Sequence, residues 1–302
     1  MSDDHAAVGV RKAVLPAAGY GTRFLPVTKA QPKETLPVLD RPAIQYMVEE
    51  AVQAGLDDIL VVTGRNKQAI ADHFDRNPEL EDVLSGKGKQ EERAEVIRLA
   101  ELAHMYYVRQ TQQLGLGHAV LQARQHVGDA AFAVLLGDDI VDPDEKLLER
   151  MIELFERHRR PVVAVMSVPA EQVSSYGIVE ADPRRGEDGV YDVHDLVEKP
   201  DAEDAPSDLA IIGRYVLGAD VFEVLAETEP GEGGEIQLTD ALRTLARRDP
   251  ITAVEYTGPR HDIGDVIGFL KANVALAADR SDIAEPFLEW LEEFLAERRS
   301  RT

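Results

Sequence analysis

Short strand-like runs recur along the chain, alternating with segments of helical spacing. Asp58 to Thr63 reads DILVVT, Tyr106 to Gln110 reads YYVRQ, and Phe132 to Leu136 reads FAVLL. The first and third suit strands buried on both faces, and the second reads as the strand between them. Before the first of these, Ile44, Met47, Val48, Ala51 and Val52 mark one apolar helix face that Gly55 closes. Asp40-Arg41-Pro42 reads as the N-cap and first turn of that helix. Further helices are expected near residues 67–74, from His118, and at about 144–159. Residues 75–105 are charged and poor in strand signals, and read as a loop and a helix on the rim. This alternation predicts an α/β fold, with a mostly parallel sheet and helices on both faces.

Ligands of such sheets bind beyond the carboxyl ends of the strands. That rule brings together the loop at 18–33, the loop at 110–117 and Asp138-Asp139. The first loop, within AVLPAAGYGTRFLPVTKAQPKETLP at 13–37, carries Gly19, Gly21, Arg23, Lys29 and Lys33, with Pro26, Pro32 and Pro37 stiffening its path. Glycines let backbone N–H groups approach an anion, Arg adds a fork of donors and Lys a point charge. The stretch reads as a polyphosphate cradle. It is neither of two familiar phosphate motifs. Lys-Ser/Thr does not follow a G-x-x-x-x-G, and Phe24 stands where the dinucleotide fingerprint needs its third glycine.

Composition narrows the partners. A net charge of −23 argues against nucleic acid or an anionic membrane surface. Up to Lys33, however, five cations stand against two acids, which suits a small anion brought with a divalent cation. Arg11 and Lys12 read equally well as ordinary surface charges. With no cysteine there is no disulfide framework and no thiolate chemistry. The first ten residues, MSDDHAAVGV, lack the regions of a signal peptide, and no apolar run approaches the roughly 20 residues of a membrane span. The expectation is a soluble, cytoplasmic protein.

The second half reads as strands at 161–168, 177–180, 193–197 and 209–217 that extend the sheet and wall a second-substrate pocket. Helices at 219–228 and 237–248 and a short strand at 251–256 follow. From Ser281, Phe287, Trp290, Leu291, Phe294 and Leu295 fall on one helix face, suited to its own domain or to a neighbouring subunit. A homo-oligomer, dimer or tetramer, is expected.

Asp138 directly follows the apolar strand, where a carboxylate and substrate phosphates would together hold Mg2+. Asp139 reads as a cap or a support for its neighbour, and Asp262 as a second candidate ligand. His118 and His261 read as positioning or structural residues, since no histidine cluster indicates zinc. In Glu198-Lys199-Pro200, the lysine can neutralise a phosphate while the carboxylate accepts from sugar hydroxyls.

Gly19-Tyr20-Gly21-Thr22-Arg23 through Lys33 and Pro37 resembles the signature of the sugar-1-phosphate nucleotidyltransferases. Further pieces are Gly115-Leu116-Gly117-His118-Ala119, Tyr176-Gly177-Ile178-Val179-Glu180, Val197-Glu198-Lys199-Pro200 and Ile212-Gly213-Arg214-Tyr215-Val216-Leu217. Gly234-Glu235-Ile236-Gln237-Leu238-Thr239-Asp240 and His261-Asp262-Ile263-Gly264 complete a series similar to the bacterial UTP–glucose-1-phosphate uridylyltransferases, from about residue 11 to 295. Two positions depart from that pattern: Gly137 where proline is expected, and Asp265 where asparagine is common.

The resemblance implies the Rossmann-like nucleotidyltransferase fold over 11–280, a flexible N-terminus at 1–10 and a C-terminal helix at 281–302. It implies transfer of the uridylyl group of UTP to glucose 1-phosphate, giving UDP-glucose and pyrophosphate with Mg2+. By the same resemblance, Ala17, Ala18, Gly19 and Gly21 meet the nucleotide, Arg23 and Lys33 its phosphates, and Gln110 and Gly115 the uracil edge. Asp138 corresponds to the Mg2+ ligand and Asp262 to a second one. Gly177, Glu198 and Gly213 correspond to sugar contacts, and Lys199 to the residue on the sugar phosphate. Rival readings are the same fold with dTTP or another hexose 1-phosphate, and a non-catalytic nucleotide-sugar-binding protein.

Overall fold

In the computed structural model, which describes residues 9–301, the chain begins with strand β1 (Lys12–Ala17). The expected flexible segment at 1–10 falls, for residues 1–8, outside the described residues. A hairpin of β2 (Pro37–Val38) and β3 (Arg41–Pro42) leads into α1 (Ala43–Gln53). Arg41 and Pro42 are therefore paired strand, not a first helical turn. Asp40 does not cap α1; it accepts from Arg280 instead. The apolar face of α1 is as expected, with Ile44, Met47, Val48 and Ala51 buried.

Then follow β4 (Asp58–Thr63), α2 (Gln68–Phe74), α3 (Pro78–Gly86), α4 (Gln90–Ala100) and β5 (His104–Arg109). The charged stretch before β5 thus forms two helices, not a loop and one helix. Asn77 starts the extra one by accepting from the Leu80 amide, with Pro78 in the first turn. Next come α5 (Leu116–Leu121), α6 (Arg124–Val127), β6 (Phe132–Leu135), β7 (Asp139–Val141) and α7 (Leu147–His158).

The second half contributes β8 (Val162–Ser167), β9 (Gly177–Pro183), β10 (Val190–Glu198) and β11 (Leu209–Leu217). It closes with α8 (Val221–Glu227), α9 (Leu238–Ala246), β12 (Ile251–Glu255), β13 (Arg260–Asp262), α10 (Val266–Asp279) and α11 (Ala284–Ser300).

Nine strands form one sheet in the order β5-β4-β1-β6-β11-β8-β12-β10-β9. Strands β5, β4, β1 and β6 run parallel, β11 is inserted antiparallel, and β8 and β12 are again parallel to each other. The expected mixed, mostly parallel sheet is present. At the far edge β10 pairs antiparallel with both β12 and β9, and β9 also reaches β11 through Ile178 and Ala210. That edge therefore curls back toward the centre.

Period-two alternation divides the core between the two faces. Ala13, Leu15, Ile59, Val61, Ala133 and Leu135 pack with α1 and α7 on one side. Val14, Leu60, Val62, Phe132 and Val134 pack with α5, α8 and α9 on the other. On that second face Phe132 stacks on Phe222, with centroids 5.1 Å apart. The terminal helix α11 buries none of its residues, and Trp290 on its apolar face is 54 % exposed.

Charge also ties strand to helix. At the irregularity in β10, Asp195 accepts from Arg243 of α9 at 2.7 and 2.9 Å and from Arg247 at 3.0 Å. The Arg243 hydrogen bonds lead in lowering its carboxyl to about 2, against roughly 3.9 in an unfolded chain. A depressed carboxyl stabilises the fold above its unfolded value and loses that contribution as pH falls through the folded one. Wild type should therefore exceed Asp195→Asn by about 1–2 kcal/mol at neutral pH in urea denaturation. The difference should shrink between about pH 4 and pH 2.

Candidate functional site

The cradle loop leaves the end of β1 through tight turns. Phe24 donates its amide to the Gly21 carbonyl at 2.9 Å, and Thr28 donates its hydroxyl to the same oxygen at 2.8 Å. Gln113, from the loop after β5, donates to the Ala18 carbonyl at 2.7 Å and so joins the loops of two parallel strands. Between them lies a cavity of about 450 Å³, lined among others by Ala18, Gly19, Gly21, Lys33, Gln110, Gly115 and Asp138. Ala17 lies buried at the end of β1, just beneath it.

At one end of the cavity Gln110 is buried and donates to the Gly115 carbonyl at 3.1 Å and to His118 Nδ1 at 2.9 Å. Burial lowers the His118 imidazole below its ordinary value, in keeping with a neutral acceptor ring. Two buried acceptors on side chains lining the cavity, Glu34 Oε1 and Gln113 Oε1, have no hydrogen-bond partner among the described residues. Such groups are costly unless a ligand donor meets them.

At the other end Lys33 Nζ donates to Asp138 Oδ2 at 2.9 Å. Burial pushes the Asp138 carboxyl up, but Lys33 outweighs it and the net shift is downward. Burial likewise works against the charged Lys33, and Asp138 raises it. Both stay ionised at neutral pH. Asp139 points away and accepts from Arg260 Nε at 2.6 Å. Burial, opposed by Arg260 and reinforced by Asp138, pushes its carboxyl up to about 6.

Asp262 Oδ2 accepts from Tyr176 at 2.9 Å and Arg260 at 3.3 Å, while Oδ1 accepts from the Gly264 amide at 2.9 Å. The hollow over Gly264 is the meeting point: a Cβ there would sit 3.0 Å from Asp262 Oδ1, 3.5 Å from Arg23 Nη1 and 3.6 Å from Asp138 Oδ2. Two hard oxygen donors facing one small space suit a cation that draws its other ligands from water and phosphate, as Mg2+ does. Among the described residues no group of three or more side chains could hold a metal by itself. The donor set fits Mg2+ carried with a polyphosphate.

Beyond this hollow a second cleft, of about 760 Å³, contains Arg23, Tyr176, Lys199, Arg260 and Asp262. Its neighbouring wall holds the remaining expected residues. Glu198 Oε2 accepts from Thr239 at 2.7 Å, and a Cβ on Gly177 would lie 3.1 Å from Thr239 Oγ1 and 3.2 Å from Glu198 Oε2. Lys199 has φ +46°, an unfavourable value for a lysine, with its amide bonded to the Tyr176 carbonyl at 2.9 Å. Gly213 has φ +66°, and a Cβ there would fall 2.5 Å from Asp139 Oδ2.

Expected residues thus divide between two adjoining cavities and the wall beside the second. Sequence reasoning assigned no role to Glu34, Gln113, Tyr176, Thr239, Arg214 or Arg260. Arg214 and Arg260 were the most accessible to it: a lone cation in the apolar run IIGRYVL of β11, and an arginine two positions before a candidate ligand, both call for partners.

The family model for nucleotidyl transferases matches residues 12–279. A UTP–glucose-1-phosphate uridylyltransferase of Bacillus subtilis is 51% identical over 95% of this chain and 96% of its own length. One from Streptococcus pneumoniae is 49% identical, with coverage of 93% and 95%. A crystal structure of UDP-glucose pyrophosphorylase complexed with UDP-glucose superposes with a TM-score of 0.81 at 45% identity, covering 90% of this chain and 100% of that one. A UTP-bound enzyme from Acinetobacter baumannii gives 0.87 at 40% identity, with coverage of 94% and 99%.

Gly115 tests how tightly the Gln110 end of the cavity is built. It has φ +96°, and a Cβ there would lie 2.8 Å from both Glu235 Cβ and the Ile236 carbonyl. Gly115→Ala should lower stability by about 1–3 kcal/mol in urea denaturation, a cost combining backbone strain with backbone overlap.

Proposed function

The chain belongs to the nucleotidyl transferase family, and on that premise we propose that it transfers the uridylyl group of UTP to glucose 1-phosphate, giving UDP-glucose and pyrophosphate. The observation that carries this reading is the meeting of the two cavities at Asp138, Arg23 and Asp262. A nucleotide lying in the first, with its base toward Gln110 and Gly115, directs its phosphates to Lys33 and Arg23. A sugar phosphate entering the second brings its phosphate to Lys199 and its hydroxyls to Glu198, Gly177 and Gly213. The names and bound ligands of the relatives support the same pair of substrates.

Glucose 1-phosphate is already anionic, so the step needs no catalytic base. Its phosphate oxygen attacks the α-phosphorus of UTP in line. An oxygen–phosphorus bond forms as the α–β bridge breaks, and pyrophosphate leaves with the electron pair. Lys199 orients the nucleophile, the Ala17–Gly21 backbone orients the nucleotide, and Arg23 and Lys33 stabilise charge on the transferred and leaving groups. Asp138 and Asp262 are the residues that would hold Mg2+, which when bound would supply further positive charge at these phosphates.

Residues 11–280 act as one nucleotidyltransferase domain in this reading. Among the described residues no helix is long and apolar enough to cross a membrane, and the chain works as a cytoplasmic homo-oligomer, dimer or tetramer. Exposed Leu270 and Val274 on α10 and Trp290 and Phe294 on α11 support self-association.

The direct test is pyrophosphate release from a panel of UTP, dTTP and other nucleotides with several hexose 1-phosphates. UTP with glucose 1-phosphate should be fastest; preference for another pair overturns the assignment. Lys199→Ala should raise KM for glucose 1-phosphate about 10–100-fold with a smaller change in kcat. Asp138→Ala should lower Mg2+-dependent kcat by about 100–1,000-fold. Near-wild-type Mg2+-dependent turnover would remove Asp138 from the mechanism.

A further inference from the structure

Arg214 is the largest fully buried side chain among the described residues, and it lies immediately after Gly213 in β11. Nε donates to Glu50 at 2.8 and 3.1 Å, and Nη2 donates to Glu50 at 2.7 Å. The remaining bonds reach backbone: Nη2 to the Asp139 carbonyl at 2.7 Å, and Nη1 to the carbonyls of Leu136 at 3.3 Å and Gly213 at 3.2 Å. Together these partners engage all five N–H donors that a guanidinium offers.

A buried ion pair is a weak source of stability, because removing both charges from water costs about as much as their attraction returns. What distinguishes this one is where its backbone bonds fall. Leu136 and Asp139 bracket Gly137-Asp138, within the three-residue link at 136–138 between the end of β6 and the start of β7. The Leu136 amide also donates to the Gly213 carbonyl at 2.9 Å. Arg214 thereby holds both ends of the segment that presents Asp138, and Glu50 anchors Arg214 to α1 on the far side.

Building on the uridylyl-transfer reading above, we infer that Arg214, anchored by Glu50, is a positioning residue that sets the Asp138 carboxylate toward the cation and phosphates. It touches neither substrate nor metal; it acts through the backbone on either side of Asp138. A lysine would keep the charge beside Glu50, but its single ammonium cannot span the carboxylate and the bracketing carbonyls together.

Two variants test this: Arg214→Lys, and the double variant Glu50→Leu/Arg214→Met, which leaves no buried charge unpaired. Thermal unfolding reports folding, and Mn2+ binding in the presence of UTP, followed by electron paramagnetic resonance, reports the carboxylate independently of turnover. A folded double variant should bind Mn2+ roughly 10–100-fold more weakly. Its kcat should fall while KM for glucose 1-phosphate changes little, and Arg214→Lys should lie between it and wild type. A folded double variant that binds Mn2+ as tightly as wild type overturns the inference. If the double variant does not fold, Arg214→Lys decides by the same measurement: weaker Mn2+ binding supports positioning and wild-type binding overturns it. If wild-type protein adds nothing to the Mn2+ affinity of UTP, the metal site at Asp138 and Asp262 fails, and this inference with it, while the substrate panel alone decides the uridylyl-transfer reading.

Discussion

Negative charge is concentrated where the chain can least tolerate it. In a protein of net charge −23, Asp138, Asp139 and Asp262 stand together at the rim of the sheet. Two like charges about 4 Å apart repel by about 4 kcal/mol at a partly screened site. The fold answers with cations from separate stretches: Lys33 on Asp138, and Arg260 on both Asp139 and Asp262. The site is consequently a balanced charge cluster before any substrate arrives. Its assembly depends on β1 pairing with β6 in the main sheet and on the separate β7–β13 pair, which sets Asp139 opposite Asp262.

Local pattern made much of this legible. Apolar runs such as DILVVT are long enough for a strand and too short for a helix, so β4 and β11 fall at their expected bounds. The glycine and cation spacing of 18–33 pointed to an anion because backbone donors and charge sit within one loop. Strand order was not legible in the same way, since it depends on contacts between residues far apart in the chain. Nor was the hairpin at Arg41–Pro42: Asp-Arg-Pro matches helix-start chemistry, and only pairing with Pro37–Val38 decides against it. The missed helix α3 has the opposite explanation, because Asn77-Pro78 is a start signal that the surrounding charges obscured.

The two halves of the site are built differently. On the uridylyl-transfer reading, the nucleotide half uses loops leaving the ends of parallel strands, the common arrangement for ligands of α/β sheets. The half proposed for the acceptor depends on the antiparallel insertion of β11 and on the edge that curls back through β9. That geometry brings a mid-strand residue, Gly213, against the Asp139 carboxylate, where a larger residue would not fit. It also explains why Lys199 was recognisable by its motif while its left-handed backbone was not: nothing in Glu-Lys-Pro requires that conformation.

One short backbone segment joins these halves. Ile236 donates its amide to Leu114 at 2.7 Å and accepts from the Gly117 amide at 2.8 Å, while nearby Thr239 holds Glu198. The loop at 114–117 and the wall carrying Glu198 therefore share a seam, and neither can open far without straining it. In the language of native-state fluctuations they form one cooperative unit, whose local unfolding exposes both halves together. On the uridylyl-transfer reading, anything that quiets motion at the Gln110 end also removes conformational freedom at the Glu198 end, so the two halves share an entropy as well as a boundary.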